Sequence, residues 1–108
     1  MNILVIDVGT SSMRGILFSH DGNELVEHQK TYKATYMKNG WVEQSPSDWE
    51  NALYEIMTNI STVAVEKRWT IDGVTITSQR SSVIPVDSEI HPLCNAIMWQ
   101  DKRTTDIC

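Results

Sequence analysis

The first hydrophobic positions of the chain form an unbroken run rather than an alternating pattern. Asn2–Ile6 is almost entirely apolar, and a second apolar stretch, Met13–Ser19, follows the polar segment Asp7–Ser12. A continuous apolar run of this length is typical of a strand buried on both faces of a sheet. We therefore predict two neighbouring strands joined by a tight turn, with the first strand in the centre of the sheet.

The next segments predict that the sheet continues as a meander. Asp21–Gly22 is typical of a hairpin turn, and Glu24–Tyr36 mixes apolar and polar residues as a long, partly exposed third strand does. Met37–Gly40 predicts another turn, and Trp41–Gln44 predicts a short extended segment after it.

One long helix is predicted in the middle of the chain. Apolar residues recur at helical spacing over residues 49–64, and the pattern ends near Lys67. Ser45 is the predicted N-cap, Pro46 the first helical residue, and Asp48 the acidic residue of the first turn. One face of this helix is expected to pack on the sheet.

The remainder of the chain predicts shorter elements. Ile71–Thr77 and Ser82–Val86 have the composition of strands, Asp87–Glu89 that of a turn, and Leu93–Trp99 that of a last apolar segment. Thr104–Cys108 resembles the start of a helix. The predicted class is α/β, with a mixed sheet that starts as an antiparallel meander and is packed by one long helix.

Composition narrows the possible functions. The 108 residues allow at most one domain, and nine Lys and Arg against fourteen Asp and Glu give a net charge of −5. The absence of a basic stripe argues against a nucleic-acid partner, and no apolar run approaches the roughly 20 residues that span a bilayer. Because Met1 leads directly into the first strand, we expect no signal peptide and a cytoplasmic protein without membrane contact. Cys94 and Cys108 are expected to be free thiols.

The first turn has the composition of a phosphate site. Asp7 ends a core strand, where a carboxylate keeps its charge only beside a cation such as Mg²⁺ or a hydrogen-bond donor. Gly9 allows a tight turn with close backbone approach, and Arg14 adds a positive charge. Hydroxyl groups are supplied by Thr10, Ser11 and Ser12. The turn lacks the lysine and the following helix of the Walker loop, and an ordinary hairpin closed by a side-chain hydrogen bond remains an alternative.

A second candidate site lies at the end of the strand after the helix. Arg80, between Gln79 and Ser81, is predicted to extend over the sheet edge with five donors that suit a hydroxyl-rich ligand. An ion pair with a structural carboxylate is the alternative for this arginine.

Trp99 is a third candidate. It ends an apolar segment and precedes Asp101 and Arg103, and an indole face beside such groups is typical of sugar sites. A purely structural role in the core is the alternative for Trp99, and we predict a packing role for Trp41 and Trp49.

Taken together, four segments resemble the FGGY carbohydrate kinases, in the superfamily of sugar kinases, Hsp70 and actin. These segments are Asp7–Arg14, Gly40–Pro46, Thr77–Arg80 and Asn95–Thr104. The first is shared with actin-like ATPases, whereas the last two in this order are specific to the kinases.

The resemblance implies a ribonuclease-H-like fold and ATP-dependent phosphorylation of a sugar or polyol hydroxyl. It implies that Asp7 holds Mg²⁺ and that the ATP phosphates lie by Gly9, Thr10, Ser11, Ser12 and Arg14. It also implies substrate contacts from Gln79, Arg80, Ser81, Trp99 and Asp101. The implied partners are ATP and the sugar or polyol, and the resemblance allows a homodimer of the complete enzyme.

Two features qualify this resemblance. Glycerol kinases carry a glutamate after the arginine of the substrate strand, whereas this chain has Ser81. This difference leaves a related polyol, a ketopentose such as xylulose, or another sugar open as the substrate. The family is several hundred residues long, so residues 1–108 are expected to be the N-terminal part of the first domain, inactive alone, with the catalytic aspartate downstream. An actin- or Hsp70-like ATPase module is the competing interpretation, but it explains only the first hairpin.

Overall fold

The computed structural model describes residues 1–105 and contains two sheets and one long helix. The strands are β1 (Asn2–Val8), β2 (Ser12–Ser19), β3 (Glu24–Thr31), β4 (Thr35–Tyr36), β5 (Val42–Gln44), β6 (Gly73–Ser78) and β7 (Ala96–Ile97). The helix α1 spans Pro46–Lys67. The predicted α/β class, with an initial meander and one long helix, is confirmed.

The larger sheet has the strand order β3-β2-β1-β6, so β1 lies in its interior as predicted. β1 is antiparallel to β2 and parallel to β6. In this register Asp7 is paired with Arg14 on β2 and with Thr77 on β6. Because paired residues of neighbouring strands share a face, these three side chains lie on the same side of the sheet.

α1 covers one face of the larger sheet. Its buried residues Ala52, Ile56, Ile60 and Ala64 form one core cluster with Leu4, Ile6, Met13 and Leu17. The helix lies so close to β2 that a Cβ atom on Gly15 would overlap Ile56 Cγ2 and lie 2.8 Å from Ile60 Cδ1. Gly15 is therefore required by the packing of the helix and not by a turn.

The other face of the sheet is open within the described residues. Ile3 and Val5 are only partly buried, so the prediction that β1 is buried on both faces is wrong for this part of the chain. The strand before Arg80 is also more exposed than predicted, because α1 packs mainly on β2 and β3. Val74 and Ile76 on β6 are 53% and 64% exposed.

The predicted long third strand is interrupted at Tyr32. β3 ends at Thr31, and β4 belongs to the second sheet, whose order is β4-β5-β7. Tyr32 is buried between them and enters the core cluster, which a continuous exposed strand does not permit. Burial of the Tyr32 side chain therefore accounts for the end of β3 at Thr31.

The smaller sheet encloses a second cluster of Val42, Ala96 and Met98. Trp49 at the start of α1 packs against this cluster and against the main core, which confirms its predicted packing role. The strand predicted at Ser82–Val86 is wrong: this segment makes only isolated bridges, from Val83 to Ile97 and from Val86 to Pro92.

The helix begins at Pro46 as predicted, but Ser45 does not cap it with its side chain. The Ser45 hydroxyl instead hydrogen-bonds that of Ser47, and the Asp48 carboxylate accepts a hydrogen bond of 2.7 Å from Gln44 Nε2. Arg68 ends the helix with a φ of 58° in the left-handed region.

The turns predicted at Asp21–Gly22 and Met37–Gly40 are present, with positive φ at Gly22 and Gly40. Residues 103–105 form a turn, and the rest of the helix predicted at Thr104–Cys108 lies outside the described residues, as does Cys108 itself. Cys94 is an exposed free thiol. The one helix in the described part of the chain is not apolar enough to cross a membrane.

We predict that Gly15→Ala lowers the free energy of unfolding by about 1–3 kcal/mol, because the added methyl group overpacks the contact between β2 and α1. Urea or thermal unfolding of the variant beside the parent chain measures this loss. Gly73→Ala is the matched control, since its Cβ meets only the end of the flexible Ile3 side chain, at 3.1 Å. Equal losses in the two variants would contradict the packing argument.

Candidate functional site

The candidate phosphate turn, Gly9–Ser12, is tightly closed. The Gly9 N–H donates to the Ser12 carbonyl over 2.8 Å, and a Cβ on Gly9 would lie 2.9 Å from that same oxygen. A side chain at this position therefore forces the turn to open. This geometry confirms the tight turn predicted at Gly9, whereas its contact with phosphate stays a prediction.

Tyr32 holds the phosphate turn from the side of the core. Its hydroxyl donates to the Gly9 carbonyl over 2.6 Å, and its backbone N–H donates to the Ser11 carbonyl over 3.0 Å. Burial, with a further contribution from the charge of Asp7, raises the pKa of Tyr32 to about 12. This role of Tyr32 was not predicted, and its only signal in the sequence was an aromatic side chain in a polar segment.

Two charged residues, Asp7 and Arg14, lie on either side of the phosphate turn, on the open face of the sheet. Asp7 is exposed, and its carboxylate has no hydrogen-bond or ion-pair partner in residues 1–105. Arg14 Nε lies 3.4 Å from a carboxylate oxygen of Glu27. Mg²⁺ is held in nucleotide sites by one or two carboxylates together with phosphates and water, and a single unpaired carboxylate beside a phosphate turn fits that ligand set. No group of three or more metal-binding side chains occurs among the described residues.

A shallow pocket of about 450 Å³ lies beside the turn. It is lined by Thr10, Gln79, Arg80, Ser81 and Trp99. The structure thus brings residues of three separate sequence motifs to one place. The Gln79 N–H donates to the Val8 carbonyl over 3.0 Å and so continues the pairing of β6 with β1 by one residue. The loop that carries Arg80 and Ser81 begins after this hydrogen bond.

Hydrogen bonds join the pocket to the phosphate turn. Trp99 Nε1 donates to Thr10 Oγ1 over 3.1 Å, and Thr10 Oγ1 makes a longer contact of 3.4 Å with Gln79 Oε1. Ser82, which the sequence analysis assigned to a strand, accepts a hydrogen bond of 3.1 Å from the Trp99 N–H. The only sequence signal for this contact was the hydroxyl of the second serine in Gln-Arg-Ser-Ser.

Arg80 is exposed in this pocket, and no carboxylate of the described residues pairs with it. The alternative of a structural ion pair is therefore not observed. Ser81 has a φ of 66°, which a residue with a side chain adopts only at an energetic cost. Strained backbone of this kind is common where a loop presents side chains to a ligand.

Asp101 does not line this pocket in the described residues, and the substrate contact expected for it stays a prediction. Its carboxylate is only 3% exposed and accepts hydrogen bonds from the Val42 N–H over 2.6 Å and from Arg103 Nε over 2.8 Å. Arg103 also bonds Glu43 over 2.9 Å, and its guanidinium lies 4.1 Å from the ring centre of Trp41. Trp41 therefore packs at the surface, where its ring makes a cation–π contact with Arg103.

The hydrogen bonds from Arg103 hold the pKa of Asp101 well below its usual range. The hydrogen bonds that Arg103 donates to Asp101 and Glu43 raise the pKa of Arg103 in turn. This cluster connects β5 to the segment after Trp99. The hydrogen bonds of Asp101 with the Val42 N–H and with Arg103 thus tie the segment that follows Trp99 to β5.

Comparisons of sequence and of structure with known proteins point to the same family. Residues 2–108 match the sequence model of the N-terminal domain of the FGGY family of carbohydrate kinases. The glycerol kinase of Petrotoga mobilis is 41% identical over 98% of this chain, and the chain spans 22% of that relative's length.

Solved structures agree with this family match. A Plasmodium falciparum glycerol kinase with ADP is 30% identical, with a TM-score of 0.88 over 98% of this chain and 22% of that one. The xylulose kinase of Rhodospirillum rubrum has a TM-score of 0.91 at 23% identity, with the same coverage of 98% and 22%, and this likeness confirms the fold class. The chain thus spans about a fifth of the length of the proteins it matches.

We predict that Asp101→Asn destabilises the protein at neutral pH and that the difference from the parent narrows in acid. The folded-state pKa of Asp101 is depressed, so its stabilising effect is complete above the ordinary value of 3.8 and is lost as the pH falls below that value. Melting temperatures of both proteins between about pH 7 and 2.5 measure this change. A constant difference over the whole range would contradict it.

Proposed function

Because the chain belongs to the FGGY family of carbohydrate kinases, we propose that it is the N-terminal part of the first domain of an enzyme that transfers a phosphoryl group from ATP to a hydroxyl of a sugar or polyol. The observation that supports this most directly is the hydrogen bond of 3.1 Å from Trp99 Nε1 to Thr10 Oγ1. It puts the residue expected to contact the sugar at bonding distance from the turn expected to hold the phosphates. An actin- or Hsp70-like ATPase leaves Arg80 and Trp99 without a role.

In this proposal the phosphate turn orients the nucleotide. Thr10 and Ser11 donate hydrogen bonds to phosphate oxygens from their backbone and hydroxyl groups, as glycine-containing turns do in other phosphate sites. Ser12 and Arg14 lie at the start of β2 on the same side of the turn and add a hydroxyl and a positive charge. Phosphoryl transfer depends chiefly on such positioning and charge neutralisation.

Asp7 is the residue proposed to hold Mg²⁺, which neutralises charge on the phosphates when it is bound. The exposed position of its carboxylate at the end of β1, next to the turn, supports this role. We also propose a cytoplasmic location for the complete enzyme, since ATP is its proposed phosphoryl donor.

The pocket residues are proposed to orient the acceptor. The Arg80 guanidinium donates to adjacent hydroxyls of the substrate, and Gln79 and Ser81 add polar groups beside it. Trp99 is 54% exposed, so its indole face is accessible to the C–H face of a sugar or polyol. We assign no general base to residues 1–108 and propose that the aspartate in this role belongs to the rest of the enzyme.

We predict that the complete protein phosphorylates a polyol or sugar, whereas residues 1–108 alone give only background ADP release in a coupled assay. In the complete protein, Asp7→Asn is expected to lower kcat by about a hundredfold or more, with little change in the KM of the sugar. Glu24→Gln, at an exposed position of β3, is the control and keeps parent activity. Sugar-dependent turnover by residues 1–108, or an Asp7→Asn enzyme with normal kcat, would refute these assignments.

The substrate preference is predicted from Ser81. Glycerol is the substrate named for the Petrotoga mobilis relative, but a serine in place of a carboxylate removes one charge-assisted hydrogen bond and leaves more space. We expect kcat/KM to be highest for a four- or five-carbon polyol or ketose, and Ser81→Glu to shift the preference towards glycerol. Arg80→Ala should lower kcat/KM for the sugar while leaving the KM for ATP almost unchanged. A panel of polyols and ketoses tests this, and glycerol as the best substrate of the parent enzyme would overturn it.

A further inference from the structure

We propose that Tyr32 is a positioning residue of the phosphate turn: it holds two turn carbonyls against the core so that the adjoining amide N–H groups face an incoming phosphate. This inference rests on the proposed function, since it assigns the turn to phosphate binding. It adds a residue that lies outside all four motifs of the chain, 23 positions from the carbonyl it holds.

The two hydrogen bonds from Tyr32 fix two different peptide groups. The Tyr32 hydroxyl binds the Gly9 carbonyl over 2.6 Å, and the Tyr32 N–H binds the Ser11 carbonyl over 3.0 Å. In a trans peptide the carbonyl and the following N–H point in opposite directions. The N–H groups of Thr10 and Ser12 are therefore each directed away from the Tyr32 group that binds the preceding carbonyl. Amide N–H groups of neighbouring turn residues are typical of anion-binding sites.

The position of the Tyr32 hydroxyl is itself fixed by the core. The side chain is only 8% exposed, and its ring meets that of Trp49 edge to face, with 6.4 Å between the ring centres. Trp49 packs in turn against both hydrophobic clusters. The hydroxyl is thus placed by packing rather than by the flexible loop it contacts, as a positioning group has to be.

The hydroxyl is also a constant donor. Because the pKa of Tyr32 is raised to about 12 by burial, the group remains protonated at every pH at which a kinase is assayed. Gln79 Nε2 is the other donor near the Gly9 carbonyl, but its distance of 3.4 Å is long for an N–H···O bond. Tyr32 therefore makes the main contribution to holding this carbonyl.

The test is Tyr32→Phe in the complete protein, which keeps the ring and removes only the hydroxyl. We expect the KM for ATP to rise about fivefold to tenfold, the effect of losing one hydrogen bond, while the KM for the sugar stays within about twofold. Tyr36→Phe is the matched control, since Tyr36 is 68% exposed and should leave both constants unchanged. A merely structural role for Tyr32 predicts a lower melting temperature with no selective change in the KM for ATP, and that result would overturn the proposal.

A second measurement is independent of catalysis. Amide hydrogen exchange of the peptide covering residues 8–13 should be about fivefold faster in Tyr32→Phe than in the parent or in Tyr36→Phe, because the hydrogen bond from the Gly9 N–H to the Ser12 carbonyl loses its support. Equal exchange in all three proteins would refute the positioning role. This result does not depend on nucleotide, so it separates a failure of this inference from a failure of the proposed kinase function, which the activity of the parent protein decides.

Discussion

The packing of Trp49 is the contact on which the arrangement of this structure depends. This side chain stands at the start of α1 and is the one among the described residues that is packed against both hydrophobic clusters. It supports the ring of Tyr32, which holds the phosphate turn, and it lines a small cavity together with Gln79 and Ser82. The turn and the pocket are therefore positioned from the same point of the core.

Elements with local causes were predictable from the sequence. The turn at Gly9, the hairpin at Asp21–Gly22 and the helix start at Pro46 each depend on residues within a few positions of one another, and each was placed correctly. The break between β3 and β4 was not, because it depends on the burial of Tyr32 against a helix that begins 14 positions later. The strand predicted at Ser82–Val86 failed for a related reason: its apolar residues are only partly covered by the small sheet, so strand composition did not lead to continuous pairing.

In the candidate site, too, residues with a local signal were predicted, whereas contacts between distant segments were not. Thr10, Arg80 and Trp99 were recognised one at a time from residue type and position, and the structure brings them to one pocket. The contributions of Tyr32 and Ser82 were missed, since each acts through a hydrogen bond to a distant segment, and residue type alone does not identify that partner. Asp101 was placed with the substrate because it follows Trp99 closely. In the described residues its carboxylate is bonded by Arg103, two positions further on, as expected for a nearly buried acid.

What residues 1–105 provide is orientation rather than enclosure. The pocket beside Arg80 is open to solvent, Trp99 is more than half exposed, and the face of the sheet that carries Asp7 and Arg14 is uncovered. Phosphoryl transfer also requires that water be kept from the reacting phosphate, since water competes with the acceptor hydroxyl. Within the proposed reaction, the chain therefore supplies a rigid turn and a set of donors whose positions are determined by the core. Such a surface orients its ligands before any closure takes place, because the hydrogen bonds that shape it are made between its own residues.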